Sequence, residues 1–245
     1  MKELLVIVPA YNEEMNIIGV IEELREEMPE ADILVVNDCS TDSTLQKLEE
    51  NNVNFITTPF NLRYAGGVQT GFKYASKKNY RYVAQFDGDG QHVASELVKM
   101  FNVAKQGKSD IIIGSRFIEK TGYNHTFFRR IGTELFKKII KIFCDKEITD
   151  PTSGLQILSK DVYEKYSLIN NYPEYPDANL IIEMLLLGYK VEEVPVQMKE
   201  RIYGESMHAG IWGPFTYMLR MFYSIFVILV KYNRIKKRNK RKLEK

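Results

Sequence analysis

The sequence predicts an α/β protein with a mostly parallel central β-sheet, helices on both faces of the sheet, and a separate apolar helix near the C-terminal end. Two observations predict this architecture. Short apolar runs alternate with amphipathic segments over the first 115 residues, and a long, nearly uncharged stretch occupies residues 209–230. Alternating strands and helices are typical of parallel sheets, because parallel strands are joined by helical crossovers.

Five strands and four helices are predicted before residue 115, where the apolar runs have the length of buried strands. The strands are Leu4–Val8, Ile33–Val36, Val53–Thr57, Tyr82–Phe86 and Ile111–Ile113. The helices are Glu13–Glu27, Ser43–Asn51, Gly66–Lys77 and Ser95–Gln106.

The pattern is less regular after residue 115. It predicts helices at Phe127–Phe143 and Ala178–Leu187. Asp150–Gly154 is predicted to be a turn that leads into a short strand at Leu155–Leu158, and Lys190–Met198 is predicted to be a late strand. No linker rich in proline, glycine or serine separates the two halves, which favours one domain.

The C-terminal region combines an apolar segment with a basic tail. Residues 209–230 contain one charged residue, Arg220, whereas residues 231–245 hold nine Lys or Arg and one Glu. Because the whole chain has a net charge of +2, the rest of it carries −6, which is not the extended basic surface of a nucleic-acid-binding protein. We predict no nucleic-acid partner, a domain over residues 1–208, and a membrane-associated helix with its tail over residues 209–245.

The apolar segment could span a membrane or lie on it. At about 1.5 Å per residue it could just cross a bilayer. Arg220 would then lie near the membrane centre, and Gly213-Pro214 would interrupt the helix. We therefore favour an amphipathic helix in the membrane interface, with the tail attracted to anionic headgroups. A helix packed on the body of the protein or on a partner is the alternative.

Four polar clusters follow predicted strands: Pro9–Glu13, Asn37–Ser40, Asp87–His92 and Gly114–Arg116. In open α/β sheets, ligands bind beyond the carboxyl ends of the strands. A single cluster could be a helix cap, because Asn, Asp and Ser favour that position. Four clusters at one edge of the sheet predict a binding site.

The sharpest of these clusters is Asp87-x-Asp89, which follows an apolar strand, has a glycine on either side of Asp89, and lies beside Gln91. Glycine allows a ligand to approach the backbone closely. Oxygen ligands suit Mg²⁺ or Mn²⁺, which commonly also bind substrate phosphates. The cluster therefore predicts a divalent-cation site on a phosphorylated ligand.

Several arginines are candidates for recognising an anion. Arg116 follows a strand, Arg129 and Arg130 begin a helix, and Arg201 lies in a late polar run. The guanidinium group matches phosphate geometry. Ordinary surface salt bridges are the alternative for each.

Other sites are not supported. The sequence has no phosphate-binding G-x-x-x-x-G-K-[ST] motif and no G-x-G-x-x-G after the first strand. His92, His125 and His208 lack metal-site spacing and are expected to be ordinary surface or turn residues. Cys39 and Cys144 are too few and too separated for a disulfide framework, which favours a reducing, cytoplasmic setting.

Together the motifs resemble family-2 glycosyltransferases of the GT-A fold, and most closely the dolichyl- and polyprenyl-phosphate sugar synthases. The matching segments cover about residues 4–206 and occur in the family's order: PAYNEE, VVNDCSTDST, NLRYAGG, FDGDGQH, GSRF, DPTSG, NLIIEM and RIYGES. The resemblance implies a GT-A (Rossmann-like) domain, a nucleotide-sugar donor, a polyprenyl-phosphate acceptor and Mg²⁺ or Mn²⁺.

Carried over residue by residue, the resemblance also implies individual roles. The residues lining the nucleoside pocket would be Pro9, Tyr11, Glu13, Val36 and Asp38. Asp87 and Gly88 would contact the nucleotide, and Asp89 and Gln91 would hold the metal. Arg116 and either Arg129 or Arg130 would grip the acceptor phosphate, and Arg201 would contact the donor diphosphate as a mobile loop closes.

Some residues depart from the family pattern. Met207 stands where Lys often follows GES, Asn37 where an acid is frequent, and Gly88 where Ala is usual. The longer C-terminal transmembrane bundles of some relatives are absent. The chain would therefore reach its lipid by peripheral attachment to the cytoplasmic face of the membrane, or through a separate integral-membrane partner protein.

The chemistry leaves alternatives open. A phosphate acceptor is already an anion and needs no strong base, which favours direct displacement with inversion at the sugar. A hydroxyl acceptor on a lipid-linked oligosaccharide or polysaccharide would need a base. The candidates would be Asp177, which is more simply a helix cap, and Glu183, which is more simply a charge on a helix face.

A non-catalytic membrane-bound scaffold is a third possibility, although the intact acidic and arginine residues argue against it. The sugar and the choice of uridine or guanosine stay open. The proposed transfer reaction requires the carboxylate pair and the arginines to face one cleft.

Overall fold

The computed structural model describes residues 2–119, 127–168, 172–200, 203 and 212–243, with the backbone alone for 127–130, 212–214 and 235–243. Within these ranges the strands are β1 (Lys2–Ala10), β2 (Asp32–Asn37), β3 (Phe55–Thr57), β4 (Tyr80–Gln85), β5 (Ile111–Ser115), β6 (Gln156–Ser159) and β7 (Val191–Pro195). The helices are α1 (Ile17–Glu27), α2 (Thr44–Glu50), α3 (Arg63–Lys78), α4 (Ala94–Ala104), α5 (Phe127–Cys144), α6 (Lys160–Ser167), α7 (Ala178–Leu186) and α8 (Trp212–Leu243).

The strands form one sheet in the order β3-β2-β1-β4-β6-β5-β7. All neighbouring strands are parallel except β6, which runs antiparallel to both β4 and β5. The predicted mostly parallel α/β architecture is therefore confirmed. The carboxyl ends of β1, β2, β4, β5 and β7 lie at one edge, and the chain enters β6 at that same edge.

Two apolar cores, one on each face of the sheet, hold the helices in place. One contains side chains from α1 and α4, such as Ile17 and Leu97, against Val6. The other contains side chains from α3, α5, α6, α7 and α8, such as Phe72 and Phe136, against Ile7. Successive residues of β1 point to opposite faces, so Val6 and Ile7 belong to different cores. The sheet is buried on both sides, as its continuous apolar runs predict.

The C-terminal apolar segment forms the continuous helix α8. The prediction that Gly213-Pro214 interrupts this segment is wrong, because the helix begins at Trp212 and the pair lies in its first turn. Proline is tolerated there, since the first backbone N–H groups of a helix have no intrahelical acceptor.

One face of α8 packs on the body of the protein and the other is exposed. The buried residues are Met221, Ile225 and Ile228. The exposed apolar residues follow a helical spacing: Phe215, Leu219, Phe222, Tyr223, Phe226 and Val227. Phe215–Arg234 is long and apolar enough to cross a membrane by length and composition. Because one face is buried and the other exposed, α8 is part of the protein's core and also presents an apolar surface to its surroundings.

Candidate functional site

The ends of β1, β2 and β4 are joined directly to one another at the carboxyl edge of the sheet. The backbone N–H of Asp38 donates to Ala10 O at 2.8 Å, and that of Phe86 donates to Ile7 O at 3.0 Å. A Cβ atom on Gly88 would lie 3.0 Å from Pro9 O. Three of the predicted polar clusters therefore form one surface, and Gly88 permits the close approach of the fourth strand's end to the first.

The turn Asp87–His92 is fixed by its own side chains. The Asp87 N–H donates to Nδ1 of His92 at 3.0 Å, and the Gln91 N–H donates to Oδ1 of Asp89 at 3.0 Å. His92 is 2% exposed and packs edge-on against Phe86. His92 therefore lies in a turn, as one of the two expectations had it, but it is not a surface residue. It is buried and shapes the loop.

Asp89 and Gln91 supply oxygen donors from the same turn, both partly exposed. Among the described residues no cluster of three or more His, Cys, Asp or Glu side chains could hold a metal. A cation here would therefore take its remaining ligands from substrate phosphates or water. This donor set fits Mg²⁺ or Mn²⁺, which bind proteins through few carboxylates and share their coordination with phosphates.

Asp87 is held between Tyr64 and Gly154, two residues that were not predicted to belong to the site. Tyr64 Oη donates to Asp87 Oδ1 at 3.0 Å, and a Cβ atom on Gly154 would lie 3.1 Å from Asp87 Oδ2. Burial, followed by the negative charge of Asp87, raises the pKa of Tyr64 well above its usual value, so the hydroxyl stays a donor. Tyr64 lies in the motif NLRYAGG and Gly154 in the motif DPTSG, so these motifs could have pointed to both residues.

Asp38 is buried, with 4% exposure, where β2 ends. Its Oδ1 accepts from Thr58 Oγ1 at 2.7 Å and from the Leu62 N–H at 2.8 Å. Its Oδ2 is buried without a hydrogen-bond partner among the described residues. An unsatisfied buried carboxylate oxygen is costly, so this atom is suited to accept a donor from a ligand.

The other predicted nucleoside-pocket residues lie nearby but differ in exposure. Tyr11 is exposed and Pro9 is partly buried, whereas Val36 is fully buried in the core beneath them. Glu13 is partly buried, and its carboxylate accepts from Asn16 Nδ2 at 2.7 Å. Tyr11 and Pro9 are therefore available to a ligand, while Val36 shapes the floor from below.

Arg116 forms a bidentate ion pair with Asp150. Its Nε donates to Asp150 Oδ2 at 2.6 Å and its Nη2 donates to Asp150 Oδ1 at 2.8 Å. The side chain of Asp150 is fully buried and that of Arg116 is 12% exposed. Glu193 holds Asp150 in turn, accepting from its N–H at 2.8 Å. Asp150 was not predicted as a site residue, and it fixes the direction of the arginine.

The remaining predicted arginines are less defined. Arg129 and Arg130 lie at the start of α5, where only the backbone is described. Arg201 lies outside the described residues, as do His125 and His208.

Asp177 precedes α7, but its side chain makes no capping hydrogen bond, so the simpler expectation of a helix cap is wrong. Its Oδ2 instead accepts from Tyr217 Oη at 2.8 Å, a contact with α8. Burial of the carboxyl group raises its pKa to about 6, although the bond from Tyr217 and the charge of Arg116 lower it. Glu183 lies further along α7 and pairs with Lys231 at 3.0 Å.

Asp87 and Arg116 both contact the turn Asp150–Gly154: a Cβ atom on Gly154 would lie 3.1 Å from Asp87 Oδ2, and Asp150 is paired with Arg116. The charges of Arg116, Asp150 and Asp87 all act on Asp177. Asp89 follows Asp87 by two residues in the same fixed turn. Asp87 and Arg116 therefore lie at the same end of the sheet, and the roles predicted for them stay predictions.

Comparison with known proteins places this arrangement in context. The family model described as "Glycosyl transferase family 2" matches residues 5–167. The chain is 26% identical to the polyprenol monophosphomannose synthase of Mycolicibacterium smegmatis, over 84% of this chain and 81% of the relative. It is 27% identical to the undecaprenyl-phosphate mannosyltransferase of Micrococcus luteus, over 85% and 89%.

A solved structure supports the fold. Glucosyl-3-phosphoglycerate synthase from Mycobacterium tuberculosis, in complex with Mn²⁺, uridine diphosphate and phosphoglyceric acid, superposes with a TM-score of 0.62 at 13% identity. The match covers 94% of this chain and 78% of that one.

Proposed function

Because the chain belongs to glycosyl transferase family 2 and is a glycosyltransferase, we propose that it transfers a hexose from a nucleotide-diphosphate sugar to a polyprenyl phosphate at the cytoplasmic face of a membrane. The observation that carries this proposal is the turn Asp150–Gly154, which joins the two parts of the site: Gly154 lies against Asp87, and Asp150 holds Arg116 in a bidentate ion pair. Relatives that act on polyprenol and undecaprenyl phosphates support the choice of acceptor.

The donor would bind at the ends of β1, β2 and β4. The unpartnered Oδ2 of Asp38 would accept a hydrogen bond from the nucleobase, and Tyr11 would cover it from the exposed side. Asp89 and Gln91 would hold a divalent cation, which would neutralise charge on the leaving diphosphate. Tyr64 keeps Asp87 directed at the nucleotide.

The acceptor would bind on the side of Arg116. Asp150 occupies two of the guanidinium donors, so the arginine is fixed in one orientation before the lipid arrives. An oxygen of the acceptor phosphate would attack the anomeric carbon as the bond to the diphosphate breaks, with inversion. Such a site accelerates the reaction by positioning and by charge stabilisation, because the nucleophile is already ionised.

Helix α8 would bring this site to the membrane. Its outward residues Phe215, Leu219, Tyr223 and Phe226 are exposed and apolar, and nine basic residues follow from position 231 onward. An apolar stripe followed by a basic tail fits an interface rich in anionic lipid.

The test is a transfer assay with the full chain, Mn²⁺ or Mg²⁺, and polyprenyl phosphate in anionic vesicles. A thermal-shift panel of nucleotide sugars first identifies the donor, since a ligand that binds the folded state raises Tm. We expect nucleotide diphosphate release to match the formation of glycosylated lipid. Absence of lipid product with every donor that binds would contradict the proposal.

A second acceptor class is favoured by one observation, the position of Asp177. Its carboxyl group lies in the cleft with a pKa of about 6, as a general base for a sugar hydroxyl would. Asp177→Asn separates the two cases. It should reduce transfer to a hydroxyl by about 100-fold or more, and transfer to a phosphate by about tenfold at most. Glu183→Gln tests the other candidate base, whose carboxylate pairs with Lys231.

A further inference from the structure

Helix α8 is attached to the active site by polar contacts as well as by apolar packing. Tyr217 donates to Asp177, and Ser224 Oγ accepts from Asn179 Nδ2 at 2.9 Å. Arg220 forms an ion pair with Glu174, which also pairs with Arg63 at the start of α3. A helix that served only as a membrane anchor would not require bonds to the residues of the cleft.

These contacts fix both the side chain and the backbone of Asp177. The side chain is held by Tyr217, and the backbone N–H donates to Asn179 Oδ1 at 3.0 Å. Asn179, 1% exposed, is in turn held by Ser224. Because the Asp177 side chain does not cap its own helix, its direction depends on α8.

From this geometry we infer that Tyr217 is a positioning residue of the transfer reaction, and that α8 completes the active site by orienting Asp177. This inference rests on the proposed function for its kinetic readout. The link means that an element facing the membrane and a carboxylate facing the substrates are parts of one structure.

The charges around Asp177 make the role of Tyr217 measurable. Arg116 lowers the pKa of Asp177, whereas Asp150 and Asp87 raise it, and Tyr64 and Tyr172 lie close enough to interact with its charge. A hydroxyl that donates to a carboxylate stabilises its ionised form. Removing the Tyr217 hydroxyl should therefore move the pKa of Asp177 further upward.

The experiment is Tyr217→Phe in the full chain. The phenyl ring keeps its packing against Tyr175 and Phe136, so Tm should stay close to that of the wild type. We expect kcat for lipid glycosylation to fall about two- to threefold, less than in Asp177→Asn, with KM for the nucleotide sugar unchanged. Tyr232→Phe, further along the same helix, is the matched control and should retain wild-type kinetics.

Two further measurements keep the inference testable. Ser224→Ala should lower kcat in the same direction but by less, because it acts through Asn179. A carbon-detected NMR titration of the Asp177 carboxyl group should show a higher pKa in Tyr217→Phe than in wild type. This readout needs no acceptor, so it separates the inference from the proposed function. Unchanged kcat, or an Asp177 titration that does not move, would overturn it.

Discussion

Under the proposed function, the donor side of the site, at the ends of β1, β2 and β4, differs in construction from the acceptor side around Arg116, Asp150 and Asp177. The turn Asp87–His92 on the donor side, which carries the proposed metal ligands, is held by bonds between residues at most five positions apart. The acceptor side is held by pairs far apart in sequence, such as Arg116 with Asp150 and Asp177 with Tyr217. A substitution in this turn should therefore have a local effect, whereas damage to the acceptor side should affect folding as well as turnover.

The largest expected effect is on turnover, from Asp89→Ala on the donor side. Loss of the carboxylate should lower kcat by about 100-fold or more, because charge on the leaving group is no longer offset. Stability should change by less than about 1 kcal/mol, since Asp89 lies in a partly exposed turn. Steady-state kinetics with metal present and urea denaturation measure the two quantities. The exposed Asp145→Ala is the control, and near-normal turnover of Asp89→Ala would remove the metal-holding role.

The acceptor side should respond differently to Asp150→Asn. Removing one partner of a buried ion pair leaves the other charge uncompensated, which costs about 3 kcal/mol or more. Arg116 would also lose its fixed direction, so KM for the lipid phosphate should rise while hydrolysis of the nucleotide sugar persists. The exposed pair of Lys137 with Glu134 provides a control, because Glu134→Gln should change stability by about 0.5 kcal/mol at most. Equal loss of donor hydrolysis and lipid transfer would mean that the two sides are not separable.

The smallest effect is a pH-dependent change in Tm for Asp177→Asn. The folded protein holds this carboxyl group at a pKa of about 6, above its ordinary value of 3.8. Its contribution to stability is therefore complete below the ordinary value and is lost as pH rises through about 6. The uncharged Asn variant should have the higher Tm at about pH 8, by about 2–4 °C, and the difference should shrink toward about pH 4.5. A lower Tm for the variant at about pH 8 would contradict this account.

The same contrast explains how much could be predicted from sequence. The strands, the parallel sheet and the donor motifs are short contiguous segments, so apolar runs and turn residues were enough to place them. Helix α6 was missed because its charged and tyrosine-rich sequence has a mean hydropathy too low to stand out. Asp150, Tyr64 and Tyr217 were missed because their partners lie elsewhere in the chain, and one sequence contains no record of contact.

Asp177 shows the limit most clearly. Its position before a helix made capping the simplest interpretation, and it does stand at the N-terminal boundary of α7. Its side chain instead accepts a hydrogen bond from Tyr217 of α8. The helix-capping preference of Asp predicted the position of Asp177 at the start of α7 correctly, but it predicted the wrong hydrogen-bond partner. Tertiary contacts override weak local propensities.

The reversed strand β6 has a consequence for how this enzyme can diversify. Since β6 runs against its neighbours, the connection from α5 arrives at the ligand-binding edge and delivers Asp150 beside Arg116 and Gly154 beside Asp87. Residues 145–155 form that connection, and within its first part, residues 145–149, only Ile148 belongs to an apolar core. Under the proposed function, lengthening or shortening residues 145–149 would move the Arg116–Asp150 pair relative to the donor without altering the ends of β1, β2 and β4.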